Sequence, residues 1–400
     1  MSDAASNEVS LVINGRAWGG WVEVRVTRGI ERMPGDFDLM MTERWPGQTD
    51  EALPQPGNPV KVKIGDDVVI TGYIDRYMPA LGAHDHSIRV SGRGVCQDLV
   101  DCAAIIANQQ VVGRSMLDMT KTVVAPFGIA VKQLSPGRNL TGLQGVIPLQ
   151  AIQLTETPYQ IIEQAARWLA LLIYEDADGA LVLASPGIAT MASGAKSGVN
   201  VQSAQVGFSV DQRYTEVRAL LLSIDSTLPT RPGAAPSQPG PNLLVTVKDS
   251  HGMGALKRHD GSPRYRPLVV VSEQGYRTEE ITKQRAAWEV ARRYGRSQAV
   301  TVVVDTWRDI NGTLWTPNAM MLLDLPELHV QEDWLIAEVS FMVDPRHGRV
   351  AEITLMPIQA FEPAPPPVLF GWTVTDQITE AREKQRPDLN KNAGEAPGGQ

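Results

Sequence analysis

The chain has few cysteines, and this scarcity limits how it is held together. Among 400 residues there are only two, Cys96 and Cys102, in a segment whose apolar spacing up to residue 106 predicts a helix. Residues six positions apart on a helix point to different faces, so the sequence predicts two buried thiols and not a disulfide. A disulfide framework is excluded.

Long apolar runs are also missing. No stretch approaches the roughly 20 apolar residues that a membrane-spanning helix needs. The first residues, Met-Ser-Asp-Ala-Ala-Ser-Asn-Glu, lack the basic and apolar parts of a signal peptide. We therefore expect no stable membrane insertion, and we expect synthesis in the cytoplasm of the producing cell.

Positive charge is in deficit as well. The chain has 37 Lys and Arg against 45 Asp and Glu, a formal net charge of −8. Proteins that grip nucleic acids neutralise phosphates with concentrated Lys and Arg, so we predict no specific nucleic-acid binding. An acidic surface would instead let DNA pass without sticking.

A strand pattern occurs twice, about 250 residues apart, and is the most informative feature that is present. Each copy is a three-strand meander with a Pro-led entry strand, a strand closing on an acidic residue, a polar turn and a return strand. The first copy reads Pro59-Val-Lys-Val-Lys-Ile-Gly, Val68-Val-Ile-Thr-Gly-Tyr-Ile-Asp-Arg and His86-Ser-Ile-Arg-Val-Ser-Gly-Arg; the second reads Pro317-Asn-Ala-Met-Met-Leu-Leu-Asp-Leu, Trp334-Leu-Ile-Ala-Glu-Val-Ser-Phe-Met-Val-Asp and Gly348-Arg-Val-Ala-Glu-Ile-Thr-Leu. A chain that builds one small sheet twice can lay both copies side by side in a ring.

The length and the 43% hydrophobic content suit two or three domains with real cores. We expect a mainly β chain with an α+β insertion, containing two similar small β-barrel modules, a mixed α/β domain and a C-terminal extension. The predicted segments are an N-terminal barrel (7–95), a mixed domain (96–200), a second barrel (201–225 and 276–360), an inserted loop region (226–275), and a Pro-rich linker with a tail (361–400).

Helix signals are strongest in the middle of the chain. Ser115 offers an N-cap, and Thr157, followed by Pro and with Gln160 three positions on, forms a capping box. A further helix is predicted over residues 278–294, closed by Gly295.

Metal and cofactor sites find little support. His84-Asp85-His86 could bring two imidazoles to one ion, but it lies in a polar turn without further ligands nearby. His251 and His259 flank a Gly-x-Gly that is too short a fingerprint for an anion site. We predict no metal and no cofactor.

Catalytic signatures are equally weak. There is no Gly-x-Ser-x-Gly elbow, and the cysteines sit in no catalytic motif. The pairs Asp66-Asp67, Glu279-Glu280 and Glu332-Asp333 are better explained by turns and helix starts than by a glycosidase acid and nucleophile. We predict no catalytic residue and no enzyme.

Nine tryptophans are many for this length, and some are candidates for contacts with partners. Trp18 and Trp21 surround a Gly-Gly pair near the chain start. Phe370 and Trp372 form a short apolar patch after a polyproline stretch, in a tail that can dock onto a partner. We predict these four side chains as interface residues.

The layout resembles the baseplate hub proteins of contractile-tailed bacteriophages, the Mu-like tail protein group, related to late-control D proteins and to the hub portion of type VI secretion spikes. The residues that carry the resemblance are Val9-Ser-Leu-Val-Ile-Asn-Gly-Arg, Trp21-Val-Glu-Val-Arg-Val-Thr-Arg-Gly-Ile-Glu, Phe37-Asp-Leu, Pro59-Val-Lys-Val, Val69-Ile-Thr-Gly-Tyr-Ile-Asp-Arg, Ile88-Arg-Val-Ser-Gly-Arg-Gly and Asp98-Leu-Val-Asp-Cys.

The resemblance implies a homotrimer in which two barrels per subunit form a ring of pseudo-sixfold symmetry. Such a ring would join a tail tube or tube-initiator protein to a central spike, contact other baseplate proteins, and leave a channel for DNA. It implies no catalytic residue. Two alternatives stay open, a tail-associated cell-wall hydrolase and the hub of a phage-derived injection device; a free-standing carbohydrate-binding module explains neither the repeat nor the helical insertion.

Overall fold

The structure is a computed structural model, and it describes residues 7–42, 54–82, 86–106, 110–135, 146–153, 155–169, 171–221, 243–272, 279–346 and 348–362. The described strands are β1 Val9–Ile13, β2 Arg16–Trp18, β3 Glu23–Gly29, β4 Asp36–Thr42, β5 Pro59–Ile64, β6 Asp67–Leu81, β7 His86–Gly94, β8 Gln110–Ser115, β9 Val131–Gln133, β10 Val146–Ala151, β11 Leu172–Glu175, β12 Leu181–Ala184, β13 Ala189–Thr190, β14 Ala195–Lys196, β15 Val201–Phe208, β16 Glu216–Leu221, β17 Leu243–Lys248, β18 Pro267–Ser272, β19 Gln298–Val304, β20 Ala319–Leu325, β21 Val330–Asp344 and β22 Gly348–Met356.

The described helices are α1 Gln97–Asp101, α2 Met116–Val124, α3 Pro158–Trp168 and α4 Glu279–Arg296. The prediction of a mainly β chain with a smaller helical part is confirmed. None of these helices is both long enough and apolar enough to cross a membrane.

Both predicted meanders are present, and they match in detail. The first meander is β5-β6-β7 and the second is β20-β21-β22, all paired antiparallel. The middle strand has 15 residues and the return strand 9 residues in each copy. Each middle strand also shifts register against its return strand, after Ile74 in β6 and after Ile336 in β21. A bulge at the same place bends both strands alike.

The two meanders belong to one continuous sheet. Within the described residues it has 14 strands, and its main path runs β15-β19-β22-β21-β3-β4-β7-β6-β5-β1-β2. The link between the halves is the antiparallel pairing of β3 with β21, which we call the internal seam. One apolar core runs beneath both halves, from Leu11 and Phe37 to Trp307 and Phe341.

The predicted mixed domain, which we call the mixed region from here on, has its own apolar core. It is built mainly by α1, α2, α3, β11 and β12. The capping box at the start of α3 is confirmed, since the Gln160 N–H donates to Thr157 Oγ1 (3.3 Å) and the Thr157 N–H donates to Gln160 Oε1 (3.0 Å). Ser115 caps α2 by accepting from the Asp118 N–H at 3.1 Å.

The expected helix from Cys96 to residue 106 is wrong in length. Helix α1 spans only Gln97–Asp101, and Cys102 has an extended backbone. Apolar spacing over so short a stretch does not specify how far a helix continues. Cys96 is buried as predicted, whereas Cys102 is exposed.

Residues 226–275 were expected to form a loop, but they contain strands β17 and β18. Both flank β16 in a separate three-stranded sheet, with β17 antiparallel and β18 parallel to it. Residues 216–221, which we expected in the second barrel, therefore pair outside the large sheet. The runs Leu-Leu-Val-Thr-Val and Leu-Val-Val-Val carried this strand signal, which the neighbouring Pro/Gly tract overshadowed.

We predicted that helix α4 ends before Gly295. This is wrong, since the helix continues to Arg296. Gly295 lies inside the helix, and an added Cβ there would collide with the backbone of Ala360. Gly295 therefore does not mark the end of the helix. Its missing side chain lets the backbone of α4 pack closely against the backbone at Ala360.

Candidate assembly surfaces

The internal seam is fixed by side chains as well as by backbone pairing. Thr27 Oγ1 and Ser340 Oγ lie 2.9 Å apart across it, and both residues are buried. Beside them, Arg32 Nε donates to Glu338 Oε2 at 2.9 Å, and another nitrogen of the same guanidinium donates to Asp36 Oδ1 at 2.7 Å. These polar contacts set the register of β3 on β21, since a slip by one residue would separate every pair.

Arg308 makes a second link between the halves. It follows β19 in sequence, yet its guanidinium donates to the Ile64 carbonyl (3.1 Å), to Asp67 Oδ2 (2.6 Å) and to Asn7 Oδ1 (3.0 Å). Hydrogen bonds to charged groups are among the stronger polar contacts in proteins. The turn between β5 and β6 is thereby attached to the C-terminal half.

A buried carboxyl joins the sheet to the mixed region. Glu175, at the end of β11, accepts hydrogen bonds from the Gly35 N–H (3.1 Å) and the Cys96 N–H (2.9 Å). Burial raises the pKa of Glu175 to about 7, against the lowering effect of these two donors. Gly94 passes so close that any Cβ there would overlap the carboxyl group.

Next to Glu175, ion pairs around Asp176 also connect the mixed region to the sheet. Arg28 of β3 lies 3.5 Å from Asp176, whose other oxygen accepts from Lys132 Nζ at 2.7 Å. The mixed region is therefore held against β3, the same strand that forms the internal seam.

A cleft of about 990 Å³ lies between the mixed region and α4. Trp288 stands at its wall, with the guanidinium groups of Arg285 and Arg292 at 4.6 and 5.1 Å from its ring. The indole N–H donates to the Glu362 carbonyl at 2.6 Å, so the last described residue of the chain borders the cleft.

The predicted interface residues are only partly described. Trp18 and Trp21 are half-buried, pack against the main core, and are linked by a hydrogen bond from Trp21 Nε1 to the Trp18 carbonyl at 3.3 Å. Phe370 and Trp372 lie outside the described residues.

The histidines weighed in the sequence as metal or anion ligands form no metal-ligand cluster among the described residues. His84 and Asp85 lie outside the described residues, and in the part of the chain that is described no three His, Cys, Asp or Glu side chains converge. His251 instead stacks on Tyr294 of α4, with ring centroids 3.9 Å apart. Its loop is held by Asp249, which accepts from the backbone N–H groups of His251 and Met253.

Sequence reasoning missed a group of exposed apolar side chains at two sheet edges. Met78 and Leu81 in β6 are 41% and 82% exposed, and Phe208 in β15 is 60% exposed. The available signal was the absence of charge from both stretches, because edge strands are usually protected by charged residues.

Comparison with known proteins agrees with this architecture. Family models match three parts of the chain: the N-terminal domain of the Mu phage baseplate assembly protein GpP-like group (residues 8–94), the second domain of the baseplate hub protein gp44-like group (96–185), and the fourth domain of Mu phage baseplate assembly protein GpP (278–364).

Individual relatives cover most of the chain. It is 26% identical over 358 residues to the baseplate hub protein gp44 of Escherichia phage Mu, covering 89% of each chain. The crystal structure of the 43 kDa tail protein of prophage MuSo2 from Shewanella oneidensis is 30% identical, with a TM-score of 0.72 over 89% of this chain and 99% of that one. A type VI secretion component from E. coli shares the fold at 8% identity, with a TM-score of 0.53 over 87% of this chain and 76% of that one.

The duplicated meander, the shared sheet and these matches define a structural component of a phage tail, not an enzyme. The chain belongs to the family of Mu-like baseplate hub proteins.

Proposed function

We propose that three copies of this chain form a baseplate ring of pseudo-sixfold symmetry. The observation that carries the proposal is the duplicated meander, with its matching strand lengths and bulges, set side by side through the internal seam. Two such units per chain give six in a trimer, which suits a sixfold tail tube on one face and a threefold spike on the other. In this arrangement each half closes into a small barrel, residues 7–95 in one and strands β15, β19, β20, β21 and β22 in the other.

The ring joins the tail tube or a tube-initiator protein to the central spike, and its channel lets DNA pass. The net charge of −8 supports this role, because an acidic channel wall repels the phosphate backbone. We assign the mixed domain (96–200), the inserted region (226–275) and the tail (361–400) to contacts with the spike and other baseplate proteins. Trp18, Trp21, Phe370 and Trp372 remain our proposed contact residues. Assembly takes place in the host cytoplasm.

A hub of a phage-derived injection device is a second candidate. The fold shared with the type VI secretion component favours it, and the same ring would then pass protein cargo in place of DNA. A cell-wall hydrolase is not proposed, because the relatives are tail and hub proteins.

The test is the solution mass of the purified chain, measured by light scattering over a range of protein and salt concentrations. A stable mass of three chains supports the ring. A single-chain mass at every concentration, also after addition of the cognate spike protein, would contradict it.

A further inference from the structure

The duplicated meander allows the two halves to be matched strand by strand. In the first half Val90 of β7 lies opposite Leu39 of β4, and in the second half Ile353 of β22 lies opposite Val302 of β19. Strands β6, β7 and β4 therefore correspond to β21, β22 and β19.

The next strand in each half also corresponds. Val24 of β3 pairs with Leu39, and Ala204 of β15 pairs with the matching Val302. Residues 24–27 of β3 thus match residues 204–207 of β15 in the sheet.

The internal seam has no counterpart on these matching strands within one chain. Residues 340–343 of β21 carry β3 on the side away from β22. Their counterparts, residues 78–81 of β6, have no neighbouring strand on the side away from β7 among the described strands. Strand β15 is likewise paired on one side only, with β19.

Both edges lack the charged residues that usually prevent pairing, and the β6 edge contains one proline, Pro79. Strand β15 reads Val-Gln-Ser-Ala-Gln-Val-Gly-Phe and residues 78–81 read Met-Pro-Ala-Leu, with no charge in either. Exposed edges in soluble proteins usually carry charges that prevent pairing. Large apolar side chains at these edges, Met78, Leu81 and Phe208, are exposed in the single chain. An added strand would cover them.

We propose that β15 of one copy pairs antiparallel with residues 78–81 of β6 in the next copy, in the register that β3 adopts on β21. This inference rests on the proposed ring and specifies the contact that closes it. The pairs are then Ala204 with Leu81, Gln205 with Ala80, Val206 with Pro79, and Gly207 with Met78. Each copy offers both edges, so the contact is head to tail and the same contact recurs at every junction of the ring.

The side chains fit this register. Gly207 and Met78 stand where Thr27 and Ser340 meet in the internal seam, so the long Met side chain lies over the position where glycine leaves space. Pro79 has no N–H, so the proposed ladder lacks one donor at most at this position.

The test is a disulfide across the proposed seam, made by Met78→Cys together with Gly207→Cys. The exposed Cys102 is first replaced by Ser, while the buried Cys96 is kept. The Gly207 site tolerates a side chain, since an added Cβ would have only the Ala299 carbonyl oxygen near it, at 3.9 Å. On oxidation we expect the band in a non-reducing gel to shift from one chain to two and three chains.

Two matched pairs control the geometry. Thr27→Cys with Ser340→Cys places the same cross-link in the internal seam. Because both cysteines then lie in one chain, the band should stay at the mass of a single chain. Met78→Cys with Ser203→Cys moves one thiol four residues along the same strand face, about 13 Å away, and should not cross-link.

The outcomes test the proposed contact between copies, called the seam below, separately from the proposed trimeric ring. A trimeric mass with cross-linking through position 207 and not through 203 supports the seam. A trimeric mass with no cross-link, or with equal cross-linking at both positions, overturns the seam and leaves the ring standing. A single-chain mass at all concentrations, with or without the spike, overturns both.

Discussion

Glu175 is a carboxyl group that the fold encloses, with two backbone N–H donors and little solvent. Its pKa of about 7 lies above the usual 4.5, because burial disfavours the charged form more than the donors favour it. The folded chain therefore retains a proton that the unfolded chain loses. Glu175 therefore makes its full contribution to the free energy of unfolding below pH 4.5. This contribution is lost as the pH rises through 7.

Replacing this carboxyl should remove its pH dependence. We expect Glu175→Gln to be less stable than the parent at pH 4.5, because the amide offers one acceptor to two donors. Between pH 4.5 and 8 the difference should move in favour of the variant by about 3 kcal/mol, as each pKa unit is worth about 1.4 kcal/mol. Urea unfolding across this pH range measures it, with the exposed Glu352→Gln as the control. Parallel curves for parent and Glu175→Gln would contradict the assignment.

At the scale of elements, α4 shows how one missing side chain sets a packing distance. Gly295 lets the helix approach the backbone at Ala360, and Trp288 of the same helix donates to the Glu362 carbonyl. The helix and the segment after β22 thus share a backbone contact and a side-chain contact. The close packing that Gly295 permits outweighs the local free-energy cost of a glycine inside a helix.

Gly295→Ala tests this contact because local and tertiary effects have opposite signs. Helix propensity alone would stabilise the variant by about 1 kcal/mol. We expect a net loss of about 2 kcal/mol in the free energy of unfolding, since the new methyl group forces the backbones apart. Denaturant titration measures it, and Lys283→Ala on the exposed side of α4 should stay within about 0.5 kcal/mol of the parent. A stabilised Gly295→Ala would show that the approach is not tight.

At the scale of the molecule, the sheet couples the two halves. Strand β3 pairs with β4 of its own half and with β21 of the other, and the core beneath is common to both. Separating the halves would expose that core and an unpaired edge at once. Neither half is then expected to unfold alone.

Native-state hydrogen exchange should reveal this coupling. We expect the amides of β3 and β21 to exchange only through global unfolding, with one shared free energy and one denaturant dependence. The small sheet of β16, β17 and β18, with its separate minor core, should exchange at lower free energy. Exchange of β21 and β22 in a state that still protects β4 and β7 would contradict the coupling.

The sequence predicted features whose signals are local. The meanders, the caps at Ser115 and Thr157 and the mainly β class all follow from alternation and from residues a few positions apart. It did not predict β17 and β18, because the neighbouring Pro/Gly tract overshadowed their apolar runs, and because β18 pairs in parallel with a strand about 50 residues away. The internal seam, Gly295 and the burial of Glu175 each depend on segments far apart in sequence, which no periodicity reports.

The internal seam also has a consequence for synthesis. Thr27 and Ser340, which meet across it, are separated by 313 positions in the chain. At about 5 to 20 residues per second, the ribosome takes roughly 15 to 60 seconds between them. For that interval the nascent N-terminal half has no β21 to cover the edge of β3. On a polysome, where several such halves emerge side by side, the spacing of ribosomes thus governs whether β3 meets its own β21 before it meets another chain.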